Sequence, residues 1–575
     1  MASSHPSPQS TLERLAAERV ISRLWQQDAS LWSADPSVQA TIRQRLGWLT
    51  IQPVMSQRLQ EIRQTADDIR RAGVTHTVLL GMGGSGLFPE VCRNIFGLDQ
   101  PGTEFTVLDT TDPTAIRQAL AQCNPQRLLI IISSKSGSTN EILALSKYFI
   151  CVFQQAGLAP GEHCLVVTDA GSALEASAKA WHARNLFVHG PGTGAEVGGR
   201  FSALTYFGLV PAALMGIDVE RLLQRAAAMF ARCDAAVPVA EHPAAKLAAT
   251  LGAFAQQGRP LVTLLCHPAL ASFGVWVEQL LAESTGKQGR GMTPMTGEPR
   301  REPSLRGADR VFVELQLAPE PDRELERYSA ALERDGHPVV RLRWDDPYDV
   351  MGEAVKWFFA TAIMGYLLGV NPFDEPNVQE SKDRTKALLE QFAKDGQLRD
   401  DGQLLCMDGN LSVFGARELA ASSSLTGCFS AFFRRHRPHD YVSLLSFLPR
   451  TAALDEGLMR LRERLGASLQ CATMLQFGPR YLHSTGQLFK GGPDAGVFLL
   501  LTAEERQDLA IPGEPFTFGV LKQAQALGDF QAMQQRGRRI LRIHMRGTLE
   551  HALSRVMAAV DEAIVSLRSA PVSRT

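Results

Sequence analysis

Three glycines after an apolar run have the spacing of a loop that binds phosphate. Gly81, Gly83 and Gly86 form a G-x-G-x-x-G pattern within "LLGMGGSGLFPEV". Between a strand and a helix, such a loop lets backbone N–H groups approach a phosphate closely. Asp109 ends the next apolar run, about where an acid that binds a ribose would stand. The spacing therefore fits a dinucleotide, and equally a different phosphate on a different substrate.

A loop rich in hydroxyl groups lies one unit further on and favours the second alternative. In "RLLIIISSKSGSTNEILALSKYF" an apolar run and a helical pattern enclose Ser133, Ser134, Lys135, Ser136, Ser138 and Thr139. Ser138 and Glu141 have the S-x-x-E spacing of a capping box, so we expect the helix to begin directly after Ser138. Hydroxyls, backbone N–H groups and the positive helix end would then converge on a phosphate, although a solvated turn is the alternative. Two such loops at one sheet edge suit a compact sugar phosphate.

The elements that must position these loops predict an α/β protein. Residues up to about 72 have helical spacing of apolar positions. After them, short apolar runs alternate with helical stretches, which is typical of parallel βαβ units with ligand loops at the carboxyl ends of the strands. We expect two doubly wound parallel-sheet domains with N-terminal helices and a C-terminal α/β segment. The expected parts are an N-terminal helical segment (1–72), a first domain (73–235), a second domain (236–400) and a C-terminal α/β region (401–575).

Ten apolar runs are the predicted strands of these parts. They are "HTVLLG", "EFTVLD", "RLLIIISS", "HCLVVTD", "RPLVTLLCHP", "RVFVELQL", "HPVVRLRW", "DYVSLLSFLP", "GVFLLLTAEE" and "RRILRIHM". The last lies in the basic stretch "RGRRILRIHMR", which raises the question of nucleic-acid binding. Its alternation of charged and apolar residues favours a strand with one solvated face instead, and no interleaved aromatic residues indicate base stacking.

Composition and charge exclude several functional classes. The 575 residues are 45% hydrophobic and 21% charged, with a formal net charge of −1, so no electrostatic argument favours nucleic acid or an anionic membrane. Nine cysteines without a C-x-x-C pair or a Cys/His metal spacing argue against a disulfide framework and a zinc site. We find no secretory signal and no apolar run near the roughly 20 residues that span a bilayer. We therefore expect a cytoplasmic protein.

Six motifs in order resemble those of a known enzyme family. They are "GMGGSG", "SSKSGSTNE", "VGGRFS", "AESTGK", "GYLLGVNPFDEPNVQESK" and "GPRYLHSTGQLFKGG". Together they resemble the glucose-6-phosphate isomerases of the sugar isomerase (SIS) domain family, most closely the isomerase half of fused transaldolase/glucose-6-phosphate isomerase proteins. The resemblance runs from about residue 15 to the C-terminus. It implies two SIS-type domains, a homodimer, and interconversion of glucose 6-phosphate and fructose 6-phosphate through an enediol(ate), without cofactor or metal.

The resemblance also implies roles for individual residues. Glu283 matches the base that moves a proton between C1 and C2, Arg200 the cation beside the enediolate, and Lys490 the lysine that handles the ring oxygen. The loop that meets the sugar end matches Gly83, Gly84 and Ser85. The phosphate loop matches Ser134, Lys135, Ser136, Ser138 and Thr139.

Two departures from the family pattern concern ring opening. The common enzymes have a glutamine seven residues before the lysine, where this chain has His483. They also use a histidine from a neighbouring subunit, and the matching stretch here has none, with His337 a few residues away. A histidine has the right pKa for reversible proton transfer near neutrality. We hypothesise that His483 takes over ring opening or shares it with Lys490; the alternative is that both histidines are structural.

Other functions stay open at this point. SIS domains also serve as non-catalytic sugar-phosphate sensors, and fold alone does not establish function. A sensor would have no use for Glu283, Arg200 and Lys490 together. A related substrate, such as mannose 6-phosphate or an amino-sugar phosphate, is a second alternative, and a nicotinamide-dependent dehydrogenase is a distant third.

Overall fold

The structure is a computed structural model that describes residues 6–98, 102–121, 123–190, 196–400, 402–419 and 424–569. Five helices precede the first strand: α1 (Pro8–Ala17), α2 (Val20–Trp25), α3 (Pro36–Gln44), α4 (Ile51–Gln57) and α5 (Leu59–Arg71). In α5 the apolar residues Ile62, Ala66 and Ile69 recur every three or four positions and are buried, as in an amphipathic helix. Gly73 follows α5 with a φ of +75°, a conformation that favours glycine and stops the helix.

The next part is a five-stranded parallel sheet with four helices. Its strands are β1 (His76–Gly81), β2 (Glu104–Leu108), β3 (Leu128–Ser133), β4 (Cys164–Asp169) and β5 (Asn185–His189). Its helices are α6 (Gly84–Phe96), α7 (Pro113–Leu120), α8 (Asn140–Gln155) and α9 (Ala173–Ala180). The strand order is β2-β1-β3-β4-β5. The order reverses between β1 and β3, and ligand crevices form at the carboxyl ends of such a pair. The glycine loop after β1 and the hydroxyl loop after β3 meet there.

A second parallel sheet of four strands follows three helices. The helices are α10 (Tyr206–Leu214), α11 (Val219–Arg232) and α12 (Pro243–Gln256). The strands are β6 (Leu261–Cys266), β7 (Thr293–Met295), β8 (Arg310–Leu317) and β9 (Val339–Trp344), in the order β7-β6-β8-β9. The associated helices are α13 (Ala271–Thr285), α14 (Arg323–Arg334), α15 (Asp349–Leu368) and α16 (Val378–Asp395). Helix α15 is apolar on every side because it is buried on every side.

The third sheet has six strands. They are β10 (Leu404–Asp408), β11 (Leu411–Phe414), β12 (Tyr441–Ser446), β13 (Ala472–Phe477), β14 (Gly496–Ala503) and β15 (Arg539–Met545), in the order β10-β11-β15-β14-β12-β13. The last four run parallel, and β10 and β11 form an antiparallel edge. The helices are α17 (Leu425–Phe433), α18 (Ala452–Leu469), α19 (Gly486–Gly491), α20 (Phe518–Gln535) and α21 (Leu549–Ser569).

Helix α20 joins the third part to the first. Its residues Phe518, Leu521 and Leu527 lie in the same buried cluster as Val78 and Leu80 of strand β1. The helix therefore covers one face of the first sheet. Its polar residues can then reach the loops at the carboxyl ends of that sheet.

The predicted α/β class with parallel sheets is confirmed, and every predicted strand run contains a strand. The solvated face predicted for the basic run is wrong, because β15 lies between β11 and β14 and all seven of its residues are buried. Its arginines have internal partners: Arg539 donates to both carboxylate oxygens of Asp440, and Arg542 donates to Asp400. Within the described ranges, no helix is long and apolar enough to cross a membrane.

Candidate active site

A cleft of about 330 Å³ opens at the carboxyl ends of the first sheet. Ten of the twelve predicted site residues line it: Gly83, Gly84, Ser85, Ser134, Lys135, Ser136, Thr139, Arg200, Glu283 and His483. They come from the first sheet, from the 3₁₀ helix Gly199–Leu204, from α13 and from the segment before α19, so the cleft is assembled by the whole fold. Ser138 and Lys490 line neighbouring cavities instead.

Two glycine turns touch at the floor of the cleft. Gly83 has a φ of +56° and caps the N-terminus of α6. A Cβ on Gly84 would lie 1.9 Å from the carbonyl oxygen of Gly199, so any larger residue would force the two backbones apart. The short 3₁₀ helix Gly199–Leu204 begins at this contact and carries Arg200. The backbones of the "GMGGSG" and "VGGRFS" motifs therefore lie in direct contact with each other.

The hydroxyl loop leads into α8, but not through the predicted capping box. The N-cap of α8 is Thr139, with no side-chain cap hydrogen bond, and the Ser138 hydroxyl donates to Ser136 Oγ at 2.9 Å. The prediction was wrong because the carboxylate of Glu141 bonds to a histidine far along the chain instead. Ser133 Oγ is buried without a hydrogen-bond partner among the described residues. An unsatisfied buried hydroxyl beside a cleft indicates room for a polar ligand.

Lys135 is paired in the cleft with an acid at the end of β4. Its Nζ lies 2.7 Å from Asp169 Oδ2 and 5.2 Å from the ring centre of Phe207. Burial lowers the pKa of Lys135 and raises the pKa of Asp169, because both charged forms lose water. An anion entering this side of the cleft competes with Asp169 for the ammonium group.

Arg200 is held rigidly with its charge beside the predicted base. Its Nε donates to Ser284 Oγ at 2.7 Å, and its Nη2 donates to the carbonyl of Pro372 at 2.7 Å. Its Nη1 donates to Glu375 Oε2 at 3.0 Å and lies 3.5 Å from Glu283 Oε1. A guanidinium tied at this many points supplies a fixed positive charge without reorganisation.

Glu283 projects from the last turn of α13 into the cleft. Its Oε2 accepts a hydrogen bond from Gln279 Nε2 at 3.2 Å, one helical turn earlier. Burial raises its pKa; Arg200 opposes this shift, and the charge of Glu375 adds to it. A carboxylate with a raised pKa in a cleft is suited to accept and return a proton.

His483 forms a buried pair with Glu141. It ends the 3₁₀ helix Arg480–His483, and its Nε2 lies 2.8 Å from Glu141 Oε1. The same carboxylate oxygen accepts a hydrogen bond from Gln525 Nε2 at 2.7 Å. Burial raises the pKa of Glu141, but His483, a backbone hydrogen bond and the charge of Lys382 together bring the pKa below its ordinary value. Glu141 is therefore a carboxylate that stays ionised beside the ring.

Lys490 is not brought to the cleft. Its side chain is 1% exposed and its Nζ lies 2.6 Å from Asp529 Oδ1, beside a separate cavity of about 490 Å³. Tyr481 donates to the other oxygen of Asp529 at 2.7 Å. His337 does not line the cleft either; its Nε2 lies 3.2 Å from the carbonyl oxygen of Pro303.

The cleft also contains residues that the sequence analysis missed. They are Arg45, Asp169, Glu196, Gln279, Glu375 and Lys382. Gln279 could have been found, since it lies four residues before Glu283 on the same helix face. Arg45 gave no local signal, because it follows α3 and reaches the cleft only through the fold. In the part of the chain that the structure describes, no group of three His, Cys, Asp or Glu side chains is arranged to hold a metal ion.

Comparisons with known proteins identify the family of the chain. The family model described as phosphoglucose isomerase matches residues 52–293. A probable glucose-6-phosphate isomerase of Haloarcula marismortui is 30% identical over 358 residues, which are 56% of this chain and 80% of the relative. A glucose-6-phosphate isomerase of Rubrobacter xylanophilus is 29% identical over 59% of this chain and 88% of the relative.

Solved structures share the fold. A hypothetical protein from Thermus thermophilus superposes with a TM-score of 0.55 and 25% identity, over 65% of this chain and 95% of that one. A glucose-6-phosphate isomerase from Chlamydia trachomatis superposes with a TM-score of 0.54 over 67% of this chain and 86% of that one. At 18% identity, the second match is informative about the fold alone.

Proposed function

The chain belongs to the phosphoglucose isomerase family and is an aldose–ketose isomerase, and from this premise we propose how its cleft interconverts glucose 6-phosphate and fructose 6-phosphate. The main observation behind the proposal is that Glu283 and Arg200 lie side by side in the cleft. Glu283, a carboxylate with a raised pKa, stands 3.5 Å from the immobilised guanidinium of Arg200. A base beside a fixed cation is what proton transfer through an enediolate requires.

In this proposal the hydroxyl loop binds the phosphate group. The hydroxyls of Ser134, Ser136 and Thr139 and the backbone at the start of α8 surround it, and Lys135 turns from Asp169 toward the anion. The proposal is supported by the buried, unpaired Ser133 hydroxyl and by the direction of the α8 dipole. The sugar end of the substrate lies against Gly83, Gly84 and Ser85, where the backbones at Gly84 and Gly199 leave little space.

Glu283 is the base that catalyses isomerisation of the open-chain aldose in this proposal. Glu283 removes the proton from C2, the C1 carbonyl becomes an enediolate oxygen, and Arg200 stabilises its negative charge. The proton then returns to C1 while the O2 hydroxyl proton moves to O1, which leaves a ketone at C2. Atoms and electrons balance within the substrate. A positioned base typically contributes 10²–10⁴-fold to such a step.

We assign ring opening to His483. When neutral His483 donates its Nε2–H to Glu141, Nδ1 is left as the proton acceptor. It takes the proton of the anomeric hydroxyl and delivers it to the ring oxygen as the bond from C1 to that oxygen breaks. Lys490 acts indirectly in this proposal, because its ammonium group is bound to Asp529 outside the cleft. The contact between His483 and Glu141 supports a ring-opening role for the histidine that stands where the common enzymes have a glutamine.

The first experiment is a coupled assay of glucose 6-phosphate formation from fructose 6-phosphate. We expect Glu283→Gln to lower kcat by about 10² or more, because the amide cannot accept the proton. Glu390→Gln, which removes an exposed carboxylate of α16 outside the cleft, is the control and should stay near wild type. A silent wild type that still binds fructose 6-phosphate would favour the sensor, and turnover of mannose 6-phosphate alone would favour the related isomerase.

The proposal also covers the assembly, the cellular location and the nearest relatives of the chain. We propose a homodimer, for which light scattering should give twice the chain mass of 62.8 kDa. We propose a cytoplasmic location, to be checked by cell fractionation. We also propose that the isomerase half of fused transaldolase/glucose-6-phosphate isomerase proteins is a nearer relative than the free-standing enzymes, supported by the six motifs in order. Since His483 comes from the same chain, a monomeric variant should keep ring opening.

A further inference from the structure

Helix α20 carries three buried polar residues on one face. Lys522, Gln525 and Asp529 are three and four positions apart, and each is at most 4% exposed. A buried polar group is costly unless it is hydrogen-bonded, so each must have a partner on a neighbouring element. Lys522 Nζ donates to Asp112 Oδ2 at 2.7 Å, and Asp529 Oδ1 accepts from Lys490 Nζ at 2.6 Å. The middle residue, Gln525, lines the cavity next to the cleft, together with Ser138, Glu141 and His483.

Gln525 is part of a chain of hydrogen bonds that ends at His483. Thr111 Oγ1 donates to Gln525 Oε1 at 2.8 Å, and Gln525 Nε2 donates to Glu141 Oε1 at 2.7 Å. His483 Nε2 lies 2.8 Å from the same oxygen of Glu141. The chain thus runs from the first sheet through α20 to α8 and on to the 3₁₀ helix that carries His483. No local sequence pattern connects these four residues.

The donors and acceptors in this chain follow from the charge of Glu141. An ionised carboxylate can only accept, so the amide nitrogen of Gln525 faces Glu141 and donates, and the amide oxygen accepts from the Thr111 hydroxyl. Glu141 must then accept, as an ionised carboxylate, from both Gln525 and His483. A neutral amide binds a carboxylate without competing for its charge, whereas a lysine or arginine there would neutralise it. The arrangement leaves Nε2 of His483 protonated and Nδ1 as the acceptor.

We propose that Gln525 is a positioning residue that keeps Glu141 ionised and oriented, and thereby holds His483 in the tautomer needed for ring opening. This inference rests on the proposed function for its catalytic consequence, but the tautomer itself can be observed independently. The charged groups around His483 are Glu141 on α8, Glu283 on α13 and Lys382 on α16. Gln525 acts on the first of them.

The direct test is imidazole ¹⁵N NMR of the full-length protein. The His483 signals are identified by their loss in His483→Gln. We expect the wild type to show the tautomer protonated at Nε2, and Gln525→Leu to show a mixture of tautomers. Gln523→Leu, on the opposite side of the same helix, is the control and should match the wild type. An unchanged tautomer in Gln525→Leu would overturn the proposal whatever the activity.

The kinetic test separates ring opening from proton transfer. We expect Gln525→Leu to lower kcat/KM by about tenfold to hundredfold, as for a lost hydrogen bond to a charged group. With glucose 6-phosphate deuterated at C2, the isotope effect should fall toward one, because ring opening becomes limiting. A lower rate with an undiminished isotope effect would mean general damage to the cleft and would reject the inference.

A second variant protects the test against misfolding. Gln525→Glu has the same shape and can still accept from Thr111, but it places a second carboxyl group 2.7 Å from Glu141. Two carboxylates this close share a proton, so Glu141 loses charge and His483 loses its partner. We expect the same tautomer mixture with little change in thermal stability at mildly acidic pH. A fully active Gln525→Glu with wild-type tautomer would contradict the proposal. An inactive wild type would instead contradict the proposed function. The NMR result alone would then decide whether Gln525 controls the tautomer of His483.

Discussion

At the scale of single residues, the surroundings of two carboxylates separate their roles. Glu283 has a raised pKa because it is buried, and Arg200 only partly opposes this effect. Glu141 is also buried, yet the adjacent His483 ring lowers its pKa. Two titratable groups whose environments push their pKa values apart are suited to different tasks. In the proposed function, the first exchanges a proton with the substrate, and the second remains a charged partner for an imidazole.

The raised pKa of Glu283 predicts the acid side of the rate profile. The base works only when ionised, so kcat/KM should fall as the pH drops through its pKa, which lies above the ordinary value of 4.5. Arg200 lowers that pKa, so Arg200→Met should move the acid limb to still higher pH and reduce the maximal rate. The measurement is kcat/KM against pH for the wild type and Arg200→Met, with Glu390→Gln, at an exposed position outside the cleft, as the control. A limb at the pH of an ordinary glutamate in the wild type would contradict this role.

At the scale of elements, α20 links parts of the chain that are distant in sequence. Its apolar residues pack on the first sheet, while its polar face binds Asp112 at the start of α7 and Glu141 in the first turn of α8. Asp529 accepts from Lys490 Nζ and from Ser381 Oγ, at 2.6 and 2.8 Å, and from the Tyr481 hydroxyl at 2.7 Å. The segment that carries His483 is therefore anchored on both sides by one buried carboxylate.

Removing that carboxylate should destabilise the protein strongly. Asp529→Asn leaves the ammonium group of Lys490 buried without a counter-charge, which costs about 3–5 kcal/mol of unfolding free energy. The double variant Asp529→Asn with Lys490→Met should recover much of the loss. The control is Asp561→Asn, which breaks an ion pair with Arg464 whose side chains are 42% and 47% exposed and should cost about 0–1 kcal/mol. Urea unfolding measures all three, and equal losses at both sites would refute the argument.

At the scale of the whole molecule, the cleft belongs to no single part of the chain. Arg45 comes from the N-terminal helices, Ser134 from the first sheet, Glu283 from the second and His483 from the third. The core is shared in the same way, since α16 and α20 contribute Leu388 and residues such as Leu521 to the cluster under the first sheet. The site therefore exists only when all parts are folded together.

The shared core predicts that damage to α20 is felt in the first sheet. Leu521 is 1% exposed, so Leu521→Ala should cost about 2–5 kcal/mol. Hydrogen exchange of β1 and β3 should become faster by the same free energy as that of α20. Leu143→Ala, at a position that is 40% exposed on α8, should change stability by less than about 0.5 kcal/mol. A first sheet with unaltered protection in Leu521→Ala would show that the parts unfold independently.

The sequence alone was sufficient for the fold class, ten of the fifteen strands of the described residues and ten of the residues that line the cleft. Apolar runs such as "LLIIIS" and the loops after them are local patterns, and buried parallel strands require such runs. Ser134 was predicted because hydroxyls before a helix N-terminus suit a phosphate, and Gly84, Arg200 and Glu283 were predicted only through the resemblance to a known family. Short strands without a strong run, such as β7 and β13, were missed, since only their neighbours in the sheet make them strands.

Only the tertiary structure decided which buried polar groups meet. Local spacing assigned Glu141 to the cap of its own helix, whereas the fold pairs it with His483, 342 residues away. The alternation in β15 predicted a solvated face, whereas Arg539 and Arg542 are buried and bound to aspartates from other segments. Lys490, matched to the cleft by its motif, is held by Asp529 outside it. Backbone periodicity is a property of neighbours in the chain, but the partner of a buried charge is chosen by long-range packing, which no local pattern contains.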